Sequence, residues 1–451
     1  MSARERRLDE LFPRHLAIIC ERSARALDAT GYDSLLVHSG VAPGAFLDDQ
    51  SYPYRTHPPF KIWAPLTDAP DCFVFYRPGA APRLLFCSPE DYWHKPAKLP
   101  QARWLHEFDV RLVGSRQASR GELPADLSRT AFVGEPLPEL LSWGVGAINP
   151  EHLLAQLHFD RAAKTAYELE CLREASLIGA RGQLAAQHAF LAGKSEYDIH
   201  LAYLAACGLR ELETPYNAII ALNAGAAVLH YQVLERRPPS ESLSLLIDAG
   251  GAYRGYASDI TRTFVRDSGD FAALVSSMDV LQQKLCAAVR AGVDWREIHL
   301  LSYRLIGGLL VEADIVRSSV DTAVDSGLVS IFYPHGIGHL LGLQVHDVAG
   351  TQRAAAGGEI PRPEGHPYLR LTRVLQEGWV VTMEPGLYFI EPLLTAARSN
   401  GQGRHVNWNR VEDLRRFGGV RIEDNLAATA SGCENLTRDA FAALASRNVA
   451  N

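Results

Sequence analysis

Long apolar runs are missing from this sequence. Apolar residues make up 47% of the chain, yet nowhere do the roughly 18 consecutive apolar residues that suggest a membrane-spanning helix occur. A basic block is missing too. The 45 Lys plus Arg are outnumbered by 52 Asp plus Glu, and the net charge of −7 comes with no cluster of cations to gather phosphates. Neither a membrane nor nucleic acid is therefore an expected partner. The seven cysteines, Cys20, Cys72, Cys87, Cys171, Cys207, Cys286 and Cys433, form no Cys-x-x-Cys pair for zinc or thiol exchange. They read as reduced, mostly buried small hydrophobes. The opening Met1-Ser-Ala-Arg-Glu-Arg-Arg mixes charges and lacks the apolar stretch and cleavage site of a signal peptide, which sets the expectation of a cytoplasmic protein.

A chain of 451 residues exceeds the size at which one core normally keeps growing, so two domains are expected. Helical periodicity over about 10–30 gives way to short apolar strands at 34–38, 72–76, 83–87 and 130–133, separated by turns such as Pro78-Gly79. This reads as a smaller mixed α/β domain over 1–158. A long helical pattern from Arg161 to about Leu191 opens the second domain, 159–451, and Ser195 with Asp198 suggests a capping box for the next helix. Strands are expected near 219–222, 243–247, 260–265, 379–390 and 419–424, and helices near 271–290 and 295–311. That ordering points to an α+β architecture. The Ala-, Gly- and Pro-rich stretch from Ala354 to Gly365 reads as an exposed loop.

The residues that carry chemistry sit in four segments. Asp248 ends the apolar run Leu245-Leu246-Ile247, where an unpaired buried carboxylate is costly. The Gly-rich connection after it allows the chain to reverse, so that Asp259 can face Asp248 across a strand pair. Three histidines, His335, His339 and His346, fall in the glycine-threaded stretch 334–347, which is hard to explain as packing. Two more carboxylates, Glu384 and Glu423, lie in strand-like surroundings. Arg421 and Glu423 project from the same strand face, and a buried ion pair between them is the competing explanation. Taken together, four carboxylates and one imidazole suit two hard or borderline divalent ions such as manganese.

On these motifs the sequence resembles the metallopeptidases of the pita-bread fold, and within them the long bacterial form of the prolidases, which act on Xaa-Pro dipeptides. The Phe46-Leu47-Asp48-Asp49 and Asp91-Tyr92-Trp93-His94 segments look like that family's N-terminal domain, and about 159–430 like its catalytic domain. The resemblance implies a metal set of Asp248, Asp259, His339, Glu384 and Glu423, holding two divalent ions per subunit, manganese first, with cobalt or zinc as alternatives. It further implies that Glu384, His346, His335, His230 and Arg421 serve catalysis. Arg370 would grip a free C-terminal carboxylate, with His230, Tyr216 and Tyr388 beside it at the substrate. A homodimer is implied as well, with Asp48 or Asp49 reaching the neighbouring site. Other readings remain open on sequence: a same-fold hydrolase for other dipeptides or organophosphate esters, a metal-free carbon–nitrogen hydrolase, or a non-enzymatic binding module.

Overall fold

The structure is a computed structural model that describes residues 3–90, 92–93, 95 and 97–449. Asp91 and His94 of the second N-terminal segment quoted above lie outside the described residues. Two compact units divide the chain, Met1–Cys171 with Gln352–Gly358, and Leu172–Thr351 with Glu359–Asn451.

The first unit is built on a six-stranded mixed sheet. Its strands are β1 (Ser34–His38), β2 (Phe73–Tyr76), β3 (Arg83–Cys87), β4 (Asp109–Val113), β5 (Thr130–Val133) and β6 (Ala147–Ile148), in the order β4-β3-β2-β1-β5-β6. Four of these lie within a residue of the expected strands; β4, whose middle is exposed and charged, gave no apolar run to read. Leu36, Phe73, Leu85, Phe132 and Trp143 form part of the core on one face. The expected boundary after 158 falls inside the helix Glu151–Arg161. The unit continues beyond it because Asp160 pairs with Arg25 at 3.0 Å, Ala163 accepts from Arg22, and Thr165 bonds His15 at 2.8 Å, all on the first helix, Ala3–Thr30.

In the second unit, β7 (Ile219–Leu222), β8 (Ser244–Asp248) and, after a small ladder of β9 (Ala252–Tyr253) with β10 (Tyr256–Ala257), β11 (Thr261–Val265) make an antiparallel sheet ordered β11-β8-β7. The short strands β12 (Gln352–Ala354) and β13 (Gly357–Glu359), in the segment Gln352–Gly358 that groups with the first unit and the residue after it, interrupt the stretch expected as a plain loop. Further on come β14 (Val380–Met383) and β15 (Gly386–Tyr388), then β16 (Gly419–Arg421), β17 (Asp424–Ala428) and β18 (Cys433–Asn435), with β14-β17-β18 and β15-β16 paired antiparallel. Every residue of β14, β15, β16 and β17 is buried, and Glu423 and Asp424 at the junction of β16 and β17 are held away from bulk water, while Glu384 after β14 is half-buried. Helices Ala166–Leu191, Glu196–Cys207, Asp270–Ala287 and Trp295–Glu312 belong to the same part of the chain. Ser195 caps its helix as its spacing implies, accepting from the Asp198 N–H at 3.1 Å.

Candidate metal centre

Asp248 is the last residue of β8 and lies opposite Thr261 of β11, so Asp259 stands just ahead of β11 and not directly across the ladder as expected. The pairing runs on past Asp248 in the same register, the Ala249 N–H donating to the Ile260 carbonyl at 3.0 Å and the Ser258 N–H to the Gly251 carbonyl at 2.9 Å, so Asp259 comes level with Gly250. A Cβ on Gly250 would fall 1.8 Å from the Ser258 carbonyl oxygen, an approach only glycine permits. Asp259 is fixed instead by Asn425, whose Oδ1 accepts the Asp259 N–H at 3.0 Å and whose amide donates back to the Asp259 carbonyl.

The histidine-rich segment is tied to the end of β14 by backbone bonds. The Thr382 N–H donates to the His339 carbonyl and the Glu384 N–H to the Ile337 carbonyl, each at 3.0 Å. His339 Nδ1 lies 3.0 Å from the Leu340 carbonyl; a proton donated there leaves the Nε2 lone pair bare, as a metal ligand requires. Nε2 faces Asp259 at 3.4 Å and Glu384 at 3.6 Å. Glu423 arrives on the chain after β16. Its N–H donates to the Thr261 carbonyl at 3.0 Å, and its Oε2 accepts from the Thr261 hydroxyl at 2.7 Å.

Among the described residues, Asp259, His339 and Glu423 are the buried group whose ligand atoms all lie within 4.8 Å of one another. Glu384 adjoins this trio through His339, while Asp248 stands at its edge. Asp248 accepts from the Tyr216 hydroxyl and from Arg421 Nη2, both at 2.7 Å. The competing Arg421–Glu423 pair does not form; the guanidinium turns to Asp248 because β16 runs beside β11, with Nε on the Thr261 hydroxyl at 3.1 Å. From Arg421 Nη1 the network passes to the Tyr388 hydroxyl at 2.9 Å, and from there to His335 Nε2 at 2.9 Å.

Electrostatics fit this donor set to cations. Two buried carboxylates, Asp259 and Glu423, and two half-buried ones, Asp248 and Glu384, face one arginine and one imidazole. Burial, reinforced by the charge of Asp259, pushes Asp248 up to about 6. Burial outweighs the charges of His339 and Arg421 and pushes Glu384 up to about 7; Glu423 rises well above its usual value through burial and three neighbouring carboxylates. Only in Asp259 do the bond and charge of His339 outweigh burial and hold the carboxyl low. Divalent cations would supply the missing positive charge, and an oxygen-rich set with one imidazole suits them.

His335 and His346 flank the cluster differently. Burial pushes His335 down to about 3, and its two nitrogens are engaged by the Gly336 carbonyl at 2.8 Å and by Tyr388. The His346 ring stands perpendicular to His339 with centroids 4.4 Å apart, and burial drives it to about 4, helped by the charges of His339 and Arg370. Exposed His230 and Arg370 lie near enough for their charges to act on His346.

Several contributors were not singled out from sequence. Asn425, Thr261 and Thr382 orient the ligands, and Glu196 ties down the segment bearing His230. Its Oε1 accepts from the Leu222 N–H at 2.9 Å, and its Oε2 from the Tyr231 hydroxyl at 2.9 Å and the Glu235 N–H at 2.8 Å. Polar residues in a fully buried strand are the signal that could have found Asn425; Glu196 looks like any acidic residue in a helix's first turn.

A buried carboxylate and imidazole cluster at the ends of antiparallel strands defines a metal-dependent hydrolase. Residues 170–430 match metallopeptidase family M24, and residues 10–159 match the N-terminal domain of Xaa-Pro dipeptidases. The Xaa-Pro dipeptidase of Stenotrophomonas maltophilia is 45% identical over 434 residues, 96% of this chain and 98% of the relative. That of Aeromonas hydrophila is 46% identical over 433 residues, again 96% and 98%. Among solved structures, Pseudomonas aeruginosa aminopeptidase PepP shares the fold at a TM-score of 0.70 with 23% identity, covering 96% of this chain and 99% of that one. The low-pH form of E. coli aminopeptidase P does so at 0.72 with 21% identity, covering 98% and 99%. The chain belongs to metallopeptidase family M24, among its Xaa-Pro dipeptidases, and has that family's pita-bread catalytic domain.

Proposed function

We propose that this chain is a dinuclear-metal exopeptidase that cleaves dipeptides with proline at the C-terminal position. The observation that carries the reading is the buried excess of carboxylates around His339, in a chain 45% identical to Xaa-Pro dipeptidases along nearly its whole length. Asp248, Asp259, His339, Glu384 and Glu423 would hold two divalent ions, manganese by the donor chemistry. When bound, such ions supply Lewis acidity and a water acidified toward neutrality.

The protein's own groups do the rest. Glu384 takes the proton of the attacking water and passes it to the leaving imide nitrogen. Because both nitrogens of His335 are engaged, hydrogen bonding to the developing oxyanion falls to His346, with His335 held as the end of the Arg421 and Tyr388 network. Arg370 sits exposed at the rim and suits bidentate capture of the substrate carboxylate. Proline as leaving group has no amide hydrogen, so a peptidase that recognises its substrate through that donor cannot grip it. Nothing in the site favours another ester or amide.

The same reading extends to a homodimer in the cytoplasm. Phe46 and Leu47, next to Asp48 and Asp49 in the chain, are 85% and 91% exposed, and the adjoining rings of Tyr92 and Trp93 are 86% and 75% exposed, apolar groups that a second copy would cover. Five of the seven cysteines are buried, as suits thiols kept reduced. Among the described residues, no helix is long and apolar enough to cross a membrane.

The test is a panel of Xaa-Pro, Xaa-Ala and tripeptide substrates with manganese-loaded protein. Hydrolysis confined to Xaa-Pro dipeptides is expected, and equal or better turnover of Xaa-Ala would refute the proline preference.

A further inference from the structure

Outside the cluster, a second pair of histidines lies behind the substrate face. His299, on the helix Trp295–Glu312, is 1% exposed and meets the Tyr303 ring with centroids 5.0 Å apart. Burying an imidazole there is costly unless it is hydrogen-bonded. Its Nε2 lies 2.9 Å from Nδ1 of His366, with the two rings perpendicular and their centroids 4.6 Å apart. Tyr303 closes on His366 edge-on at 4.4 Å. Nδ1 of His299 is buried with no protein partner, so the proton belongs on Nε2, which donates to His366. Burial drives His299 down to about 3, so the pair stays neutral at ordinary pH.

His366 begins a tight turn that carries Arg370. The Leu369 N–H reaches the His366 carbonyl, Arg362 Nε donates to the Leu369 carbonyl at 2.8 Å, and Leu369 and Leu371 are fully buried. The far side of the turn is pressed against two glycines, Gly336 within the His335 to His346 stretch and Gly350 just beyond it. A Cβ on Gly336 would lie 3.0 Å from the Tyr368 oxygen and the Leu369 Cα, and one on Gly350 would lie 2.3 Å from the Arg370 oxygen. The turn is thus pinned between the histidine stretch on one side and the His299 ring on the other.

We infer that His366 is a positioning residue for substrate recognition: docked on His299, it holds the Tyr368 to Arg370 turn so that Arg370 meets the substrate's C-terminal carboxylate. The inference rests on the reading of Arg370 given above. His366 touches neither the reacting atoms nor the metal ligands, so its loss acts on binding of the carboxylate and not on the chemical step.

Manganese-loaded wild type, His366→Ala, His366→Asn and Arg370→Ala are compared on an Xaa-Pro dipeptide and on its C-terminal amide. His366→Ala is expected to raise KM for the dipeptide roughly tenfold through misplacement of Arg370, with kcat within about twofold. The amide, which lacks the carboxylate, should be unaffected. Asn places an acceptor oxygen where Nδ1 stood, so His366→Asn should restore most of the loss. An unchanged KM in His366→Ala, a loss shared equally by the amide, or an Asn variant no better than Ala would overturn the inference. Arg370→Ala separates the two failures. If it leaves KM unchanged, the carboxylate reading falls and this inference with it; if it raises KM while His366→Ala does not, only this inference falls.

Discussion

At the scale of single residues, Glu384 and Tyr388 have distinguishable jobs. Glu384→Gln keeps an oxygen donor but cannot take a proton, so kcat in metal-replete protein should fall by about 10²–10⁴ with KM little changed. Near-normal turnover would remove Glu384 from the base role. Tyr388 accepts from buried Arg421 and bonds half-buried His335, so Tyr388→Phe strands two polar partners. A loss of roughly 1–3 kcal/mol in denaturant unfolding is expected; no measurable change would mean the network is not formed in solution. Residue types were legible because chemistry restricts them: a carboxylate ending an apolar strand, or three histidines among glycines, has few structural explanations. Their partners were not legible. Arg421 turning to Asp248 instead of Glu423 depends on which strand lies beside β16, a long-range fact that no local spacing encodes.

At the scale of elements, the ligands are held by strand ends locked from behind. Asp424 opens β17 fully buried, bonded to Arg262 and Arg438, each at 2.7 Å, and to Asn435 at 2.9 Å. Burial alone would raise its carboxyl, but the two guanidinium charges outweigh this and hold it below the usual range. Asp424→Asn takes the carboxylate from Arg262 and leaves Arg438 with Asp279 alone, and about 3–5 kcal/mol of stability should be lost near neutral pH. A depressed pKa contributes stability that is full above the ordinary carboxylate value and disappears as pH falls through the folded one. The gap between wild type and variant should therefore close in acid; a constant gap would point to packing as the cause. Element positions were the most legible feature, since β1, β3, β5, β7 and β8 are short buried runs bounded by turns. Pairing registers were less so. Asp259 falls short of Thr261, the partner of Asp248, because the turn between Tyr253 and Tyr256 fixes the register of the whole pair, and several glycines in this stretch leave the place of that turn open in the sequence.

At the scale of the whole molecule, two properties follow from charge and exposed surface. Stripping metal leaves the carboxylates Asp248, Asp259, Glu384 and Glu423 facing one another around His339. Chelated protein should thus unfold at lower temperature than reloaded protein, with the difference growing with free metal as binding linkage requires. Identical melting with and without chelator would mean the cluster holds no ion. With Phe46, Leu47, Tyr92 and Trp93 exposed, the homodimer proposed above predicts a solution mass near twice the 49.5 kDa of one chain. A monomer at micromolar concentration would contradict it. The most direct test of the account is to titrate metal-free protein with manganese while following hydrolysis of an Xaa-Pro dipeptide. Activity should rise from background and level off at about two ions per chain; full activity without metal, or none once both ions are bound, would contradict it.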